Sequence, residues 1–235
     1  MQSTRVALIT GASQGLGRAL AAELADRGWT LVVDARRADR LAAAVESLPA
    51  DRVVAIPGDV ADAAHRAELV AAVTAQGRLD LLVNNASTLG ASPLPALDAI
   101  ELDLFRQIYE VNVVAPLALV RAVLPALQAA GGTVVDISSD AAVEAYAGWG
   151  GYGASKAALD QLTAVLAVEN PELRIYAVDP GDMATDMHQA AFPGEDISDR
   201  PAPETVVPSL LGLLDGLQPS GRYRATELAP AGASR

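Results

Sequence analysis

The chain has 235 residues, 51% apolar but only 4% aromatic, so one domain over 1–235 with a core of Ala, Val, Leu and Ile is expected. Its net charge of −12 repels phosphate backbones and anionic headgroups, which argues against nucleic acid or a membrane surface as partner. Without cysteine there are no disulfides, thiolate metal sites or cysteine nucleophiles, and no His/Asp/Glu grouping has metal-ligand spacing, so no metal is expected.

Met1–Arg5 lead straight into an apolar run, without the charged-then-apolar layout of a signal peptide. The longest apolar stretch, Val113–Leu127, holds Pro116, Arg121 and Pro125 and is too short to span a bilayer, so a cytoplasmic location is expected. Strands are predicted at Arg5–Thr10, Thr30–Asp34, Val53–Ile56, Leu79–Val83, Thr133–Ser138 and Arg174–Val178, with a final one near Tyr223. Helical periodicity fills the intervals, as in Gly17–Arg27 stopped by Gly28 and Ala63–Ala75 stopped by Gly77. His65, in a polar stretch of the latter, is expected at the surface. The strands are continuous apolar runs, as suits parallel strands covered on both faces. The expected fold class is therefore α/β, a doubly wound parallel sheet of about seven strands in a three-layer α/β/α arrangement. Residues 182–203, with Pro193, Gly194, Pro201 and Pro203, read as a long loop and a substrate lid, followed by a short helix over Glu204–Leu217.

The first predicted strand ends in Thr10-Gly11-Ala12-Ser13-Gln14-Gly15-Leu16-Gly17, and a helix begins there. Glycines permit a sharp turn and close approach to a pyrophosphate, while the helix N-terminus supplies N–H donors. Further on, Tyr152 and Lys156 stand one helical turn apart on one face, where an ammonium would stabilise phenolate and lower a pKa that starts at about 10. Lys156 is the only lysine in the chain; the other sixteen basic residues are arginine. Three of the four asparagines, Asn84, Asn85 and Asn112, fall near these same landmarks.

In order along the chain stand the Gly11–Gly17 turn, Asp59-Val60, Asn84-Asn85-Ala86, Asn112, Ser139, Tyr152-x3-Lys156, and Pro180-Gly181 with Thr185. In this the chain resembles the short-chain dehydrogenase/reductase family over nearly its whole length. The resemblance implies a Rossmann-type fold and an enzyme that interconverts a carbonyl and an alcohol with a nicotinamide cofactor. It implies that Ser139 holds the substrate oxygen and Tyr152 exchanges the proton. Lys156 would bind the nicotinamide ribose and depress the tyrosine, and Asn112 would hold a water linking Lys156 to solvent. Ser138 is the rival serine; the thirteen-residue spacing to Tyr152 favours Ser139. Cofactor contacts are expected from Gly11, Ser13, Gln14, Gly15, Leu16, Gly17, Asp59, Val60, Asn85, Ala86, Tyr152, Lys156, Pro180, Gly181, Met183 and Thr185, and, for a 2′-phosphate, Arg36 and Arg37.

Cofactor choice rests on Val33-Asp34-Ala35-Arg36-Arg37. In family register the deciding position is Ala35, and the neighbouring Arg36 fits a phosphate, so NADP(H) is preferred. Asp34 leaves NAD(H) open. Ser87 stands where the family often has glycine, and Gln14 where some NADP-dependent members carry a basic residue. Leu89, Asp140, Ala141, Trp149, Met183, Met187, His188 and Phe192 are candidates for the substrate pocket. The apolar helices at Val113–Leu127 and Ala157–Val168 are expected either buried on the sheet or against partner subunits, and the resemblance implies a homodimer or homotetramer. Two alternatives stand beside the reductase: an NAD-dependent alcohol dehydrogenase of the same family, and a non-catalytic dinucleotide-binding regulator.

Overall fold

The computed structural model describes residues 4–214 and 218–229. Seven strands form one parallel sheet: β1 (Val6–Ile9), β2 (Thr30–Ala35), β3 (Val53–Pro57), β4 (Leu81–Asn84), β5 (Thr133–Ile137), β6 (Arg174–Asp179) and β7 (Gly221–Arg224). Their spatial order is β3-β2-β1-β4-β5-β6-β7, every pairing parallel. Eight α-helices connect them: α1 (Gly15–Asp26), α2 (Ala38–Val45), α3 (Ala63–Gln76), α4 (Leu102–Tyr109), α5 (Ala115–Ala130), α6 (Gly150–Glu169), α7 (Asp186–Ala191) and α8 (Val207–Leu214).

Strand side chains alternate between two apolar layers, the period-two rule for a pleated sheet. In β1, Ala7 and Ile9 join Leu20 and Leu24 of α1 and Leu210 of α8. Val6 and Leu8 face the other way, toward Leu69 and Val73 of α3 and Leu119, Val123 and Leu127 of α5. Both faces of the sheet are thus sealed, which is why its strands are apolar throughout. This is the predicted doubly wound three-layer arrangement.

Three differences from the sequence expectations have local causes. Residues 182–203 are not all loop: Thr185 caps α7 by accepting the His188 N–H, and Asp186 complements the first turn. The apolar stretch 113–127 belongs to a longer continuous helix, Leu102–Ala130, long and apolar enough by those measures to cross a membrane, although Leu119, Val123 and Leu127 pack on the sheet. The last predicted helix begins later, at Val207; residues 215–217 of that expectation, like Met1–Ser3 of the leader reading, lie outside the described residues.

The order reverses between β1 and β4, which leave the middle of the sheet as neighbours while their connecting helices go to opposite sides. A crevice opens at such a switch point, beyond the carboxyl ends of the strands. Here the glycine turn after β1 packs directly on the segment after β4. A Cβ on Gly17 would lie 2.4 Å from the Asn85 amide nitrogen and 2.6 Å from the Gly11 carbonyl oxygen. Gly17→Ala is therefore expected to lower the unfolding free energy by about 1–3 kcal/mol, the usual range for overpacking, measured as the urea midpoint. An unchanged midpoint would show that this seam yields freely.

Candidate active site

The switch-point crevice is a cleft of about 360 Å³ running from the glycine turn to α7. Its wall at the sheet is a knot of backbone-directed bonds. The Thr10 hydroxyl accepts from the Asn85 and Ala86 N–H groups, each at 3.0 Å, and the Asn85 amide donates to the carbonyls of Thr10 (2.8 Å) and Gly11 (3.0 Å). Gly11 and Gly15 take left-handed conformations, φ 70° and 55°. Gln14 sits at the α1 N-cap without a side-chain bond to the first-turn N–H groups; its amide oxygen instead accepts from Arg40. Those N–H groups therefore face the cleft uncapped, as a pyrophosphate requires.

The expected cofactor residues Gly11, Ser13, Gln14, Gly15, Leu16, Arg36, Arg37, Asp59, Val60, Asn85, Ala86, Pro180, Gly181, Met183 and Thr185 all line this cleft, with Ser139, Tyr152 and Lys156. Gly17 does not; it packs behind the turn. Arg36 and Arg37 are exposed at the end of β2, Arg37 paired with Asp39 at 2.8 Å, while Arg36 makes no ion pair among the described residues. Arg40, in the first turn of α2, also lines the cleft, and its guanidinium spans Gln14 and the Asp186 carboxylate of α7 (2.8 Å).

Asp34 is fully buried and already engaged. Its Oδ1 accepts the Gly11 N–H at 2.8 Å, and its Oδ2 lies 2.9 Å from His65 Nε2. His65 is thus not at the surface as expected, but buried, 5% exposed. Gly58 makes the room: a Cβ there would fall 2.1 Å from the imidazole Nδ1. The hydrogen bond to Asp34 raises the His65 pKa above its ordinary value, against the opposing effect of burial. The clue missed in the sequence was a carboxylate inside an apolar strand, which needs a donor.

At the other end, Ser139 follows β5 with extended backbone and its hydroxyl donates to Asp140 Oδ1 at 3.0 Å. The neighbouring Ser138 hydroxyl is buried without a partner among the described residues. Tyr152 projects from the start of α6 with its hydroxyl bonded by those of Ser87 and Ser139. Burial, reinforced by Asp140 and Asp179, pushes the phenol up to about 12, while the two serine bonds pull the other way. The expected depression by Lys156 is not found here. The ammonium turns to the Ile137 carbonyl oxygen, at 2.7 Å, and lies 5.6 Å from the phenol ring centre. Burial lowers Lys156 to about 8, opposed by Asp136 and Asp160.

The Asn112 side chain is held entirely by protein partners. It sits in a π-helical turn, Glu110–Val114, that joins α4 to α5, wholly buried. Its Oδ1 accepts from the Ser87 hydroxyl (3.1 Å) and the Thr88 N–H (2.9 Å), and its Nδ2 donates to the Thr88 carbonyl and the Ser155 hydroxyl, both at 2.9 Å. An asparagine side chain has two donors and two acceptor sites, and protein groups fill all four. It fastens the wall after β4 to α6.

On the substrate side, Leu89, Ala141 and Tyr152 form a small apolar cluster with Trp149 and Met187. Leu89, Asp140, Trp149, Met183, Met187 and His188 reach the cleft; Ala141 and Phe192 do not. Phe192 instead backs Trp149 (5.8 Å between ring centres) and His188 (4.9 Å). From β7, Arg222 donates to the Ser139 carbonyl oxygen at 2.9 Å and to Asp160 at 2.8 Å, bracing the serine from below.

The profile of the short chain dehydrogenase family matches residues 5–196. Over 201 residues the chain is 38% identical to sepiapterin reductase of Mus musculus, covering 79% of this chain and 77% of that protein. It superposes on a short-chain dehydrogenase from Streptomyces avermitilis with a TM-score of 0.84 at 32% identity, over 97% of this chain and 91% of the other. An alcohol dehydrogenase from the archaeon Thermococcus sibiricus, solved in complex with 5-hydroxy-NADP, aligns with a TM-score of 0.83 at 26% identity, over 99% and 98% of the two chains. With the glycine turn, the uncapped α1 N-terminus and the Ser139, Tyr152 and Lys156 side chains in one cleft, the chain belongs to the short-chain dehydrogenase/reductase family of nicotinamide-dependent oxidoreductases.

Proposed function

We propose that this protein is an NADP(H)-preferring reductase of a ketone or aldehyde, with Tyr152 as its proton donor. The observation that carries the reading is the convergence of the Ser139, Tyr152 and Lys156 side chains at one end of a cleft whose other end holds Arg36. The relatives that are a reductase and an NADP-complexed dehydrogenase support it.

When bound, NADPH supplies hydride to the carbonyl carbon, and negative charge grows on the carbonyl oxygen. The Ser139 hydroxyl swings its hydrogen from Asp140 to that oxygen, stabilising the charge as it forms. Tyr152 then gives up its proton to complete the alcohol. A phenol held near 12 keeps that proton throughout the neutral range, which suits an acid and hence reduction. The phenolate left behind lies beside the Ser87 hydroxyl, which can turn its hydrogen from Asn112 toward it, with the Lys156 ammonium one helical turn away. The slot of Leu89, Trp149 and Met187 fits an apolar substituent on the carbonyl.

Arg36 lines the cleft and makes no ion pair among the described residues, which supports its role as the bidentate partner of a 2′-phosphate. Asp34, whose two oxygens are occupied by Gly11 and His65, is poorly placed to take a ribose diol, which disfavours the NAD-dependent alternative. A non-catalytic regulator is disfavoured by the intact set of Ser139, Tyr152 and Lys156.

Fluorescence titration is expected to show much tighter binding of NADPH than of NADH. Arg36→Ala should weaken NADPH roughly tenfold and leave NADH nearly unchanged, as loss of one charge-assisted contact implies; equal losses would refute the 2′-phosphate role. Tyr152→Phe should abolish carbonyl-dependent NADPH oxidation while NADPH affinity stays within a few-fold, and retained turnover would refute the proton-donor role.

Lys156 makes a further test, on stability. Its folded pKa of about 8 lies below the ordinary 10.5, so between these the unfolded chain binds more protons and stability rises with pH. Tyr152 acts oppositely only above pH 10, where the unfolded phenol ionises and the folded one does not. Lys156→Met is expected to lose turnover yet gain about 1–3 kcal/mol of stability at pH 7, and to lack the rise between pH 8 and 10. A variant less stable than the parent at pH 7 would show that the buried ammonium is a net support.

A further inference from the structure

At the adenosine end of the cleft, Asp34 lines the surface beside Arg36, Arg37 and Arg40, yet its carboxylate is turned to protein partners. Three features hold it there. Its Oδ1 takes the Gly11 N–H and its backbone carbonyl takes the Ala12 N–H, both at 2.8 Å, so one residue fastens the first two positions of the glycine turn. Its Oδ2 takes the His65 imidazole from the first turn of α3. Gly58, after β3, leaves the space in which the ring lies; any Cβ there would overlap it. A buried carboxylate so close to a phosphate-binding surface is unfavourable unless a partner offsets its charge. Asp59 and Glu68 are the other charged groups that act on the imidazole, both acidic, and both favour its cationic form.

We propose that His65 is a specificity-determining positioning residue: by clasping Asp34 it keeps that carboxylate on the glycine turn and offsets its charge next to the 2′-phosphate of NADPH. The proposal rests on the NADP(H) reading above. Without the imidazole, Asp34 is an uncompensated anion at the cleft wall. It repels the doubly charged 2′-phosphate of NADPH, whereas the 2′-hydroxyl of NADH brings no charge and can donate to it. Loss of His65 thus acts on the ratio of the two affinities. A purely structural loosening of the turn would weaken both cofactors alike, since they share the pyrophosphate and everything beyond it.

The test is fluorescence titration of NADPH and NADH against the full chain and its His65→Ala, His65→Gln, Asp34→Asn and His65→Ala/Asp34→Asn variants, at one pH and ionic strength. His65→Ala is expected to narrow the NADPH:NADH affinity ratio roughly tenfold, a size typical of one uncompensated charge near a protein surface. In the double variant, where position 34 carries no charge, the ratio should return to within a few-fold of the parent. His65→Gln, which keeps an N–H for Asp34 without the charge, should also narrow the ratio, and it carries the test if the alanine variant does not fold. An unchanged ratio in both His65 single variants, or a narrowing in the double variant that persists with Asn at position 34, overturns the proposal. The parent's own ratio judges the cofactor reading separately: an NADH-preferring parent refutes that reading, while the role of His65 is still read from the change on substitution.

Discussion

The site depends above all on how closely the turn after β1 can approach the segment after β4. Two glycines without side chains, Gly11 and Gly17, let the backbone of one rest on Asn85 and Ala86 of the other, and Thr10 and Asn85 close the contact with four hydrogen bonds. This contact sets where the α1 N-terminus points, and with it where a pyrophosphate lies. It also places the wall that carries Ser87 and Leu89. Asn112 then ties that wall to α6 through Ser155, so the glycine turn and Tyr152 are held in one framework by polar bonds in a largely apolar interior.

That interior holds few charged groups, and those it holds are bonded. Lys156 is buried with a single carbonyl partner, and Asp136 is buried behind it, bonded by Asn84 and Thr163 at 2.7 Å each and raised by its surroundings. A well-packed apolar pair of the same volume would serve the fold as well or better. Lys156 is the one lysine of the chain, and its compact ammonium on a flexible stem reaches the Ile137 carbonyl, where a planar guanidinium would need more room.

Much of this was legible in the sequence. Strand identity followed from short Val/Leu/Ile runs, because burial on both faces leaves no polar alternation to confuse them. The order of the glycine turn, Ser139, Tyr152 and Lys156 along the chain pointed to one site, and the structure brings them to one cleft. What escaped were contacts between residues distant in the chain. His65 looked solvated because its neighbours Ala64 and Arg66 are unremarkable; only Gly58 and Asp34, on two other elements, make its place a buried one. Arg40 meets Asp186 across 146 positions of sequence, and no local pattern announces such a pair. The phenol's environment was misjudged for a similar reason: spacing puts Lys156 near Tyr152, but the direction of the ammonium is decided by the Ile137 carbonyl on β5.

The π-helical turn at Glu110–Val114 has a consequence for how this chain can vary. A π turn holds one residue more than the α-helix around it, so α4 and α5 are out of phase by roughly a quarter of a circle. Each half is locked to its own surroundings, α4 to Gly90 through Leu104 and Ile108, and α5 to the sheet through Leu119, Val123 and Leu127. Side chains in this helix can drift, but its length cannot. A single deletion between Tyr109 and Ala115 would let the backbone relax to a regular helix and rotate Asn112 off its partners. Homologous chains that keep this architecture are thus bound to the same residue count here, a constraint on insertions and deletions that substitution patterns alone do not reveal.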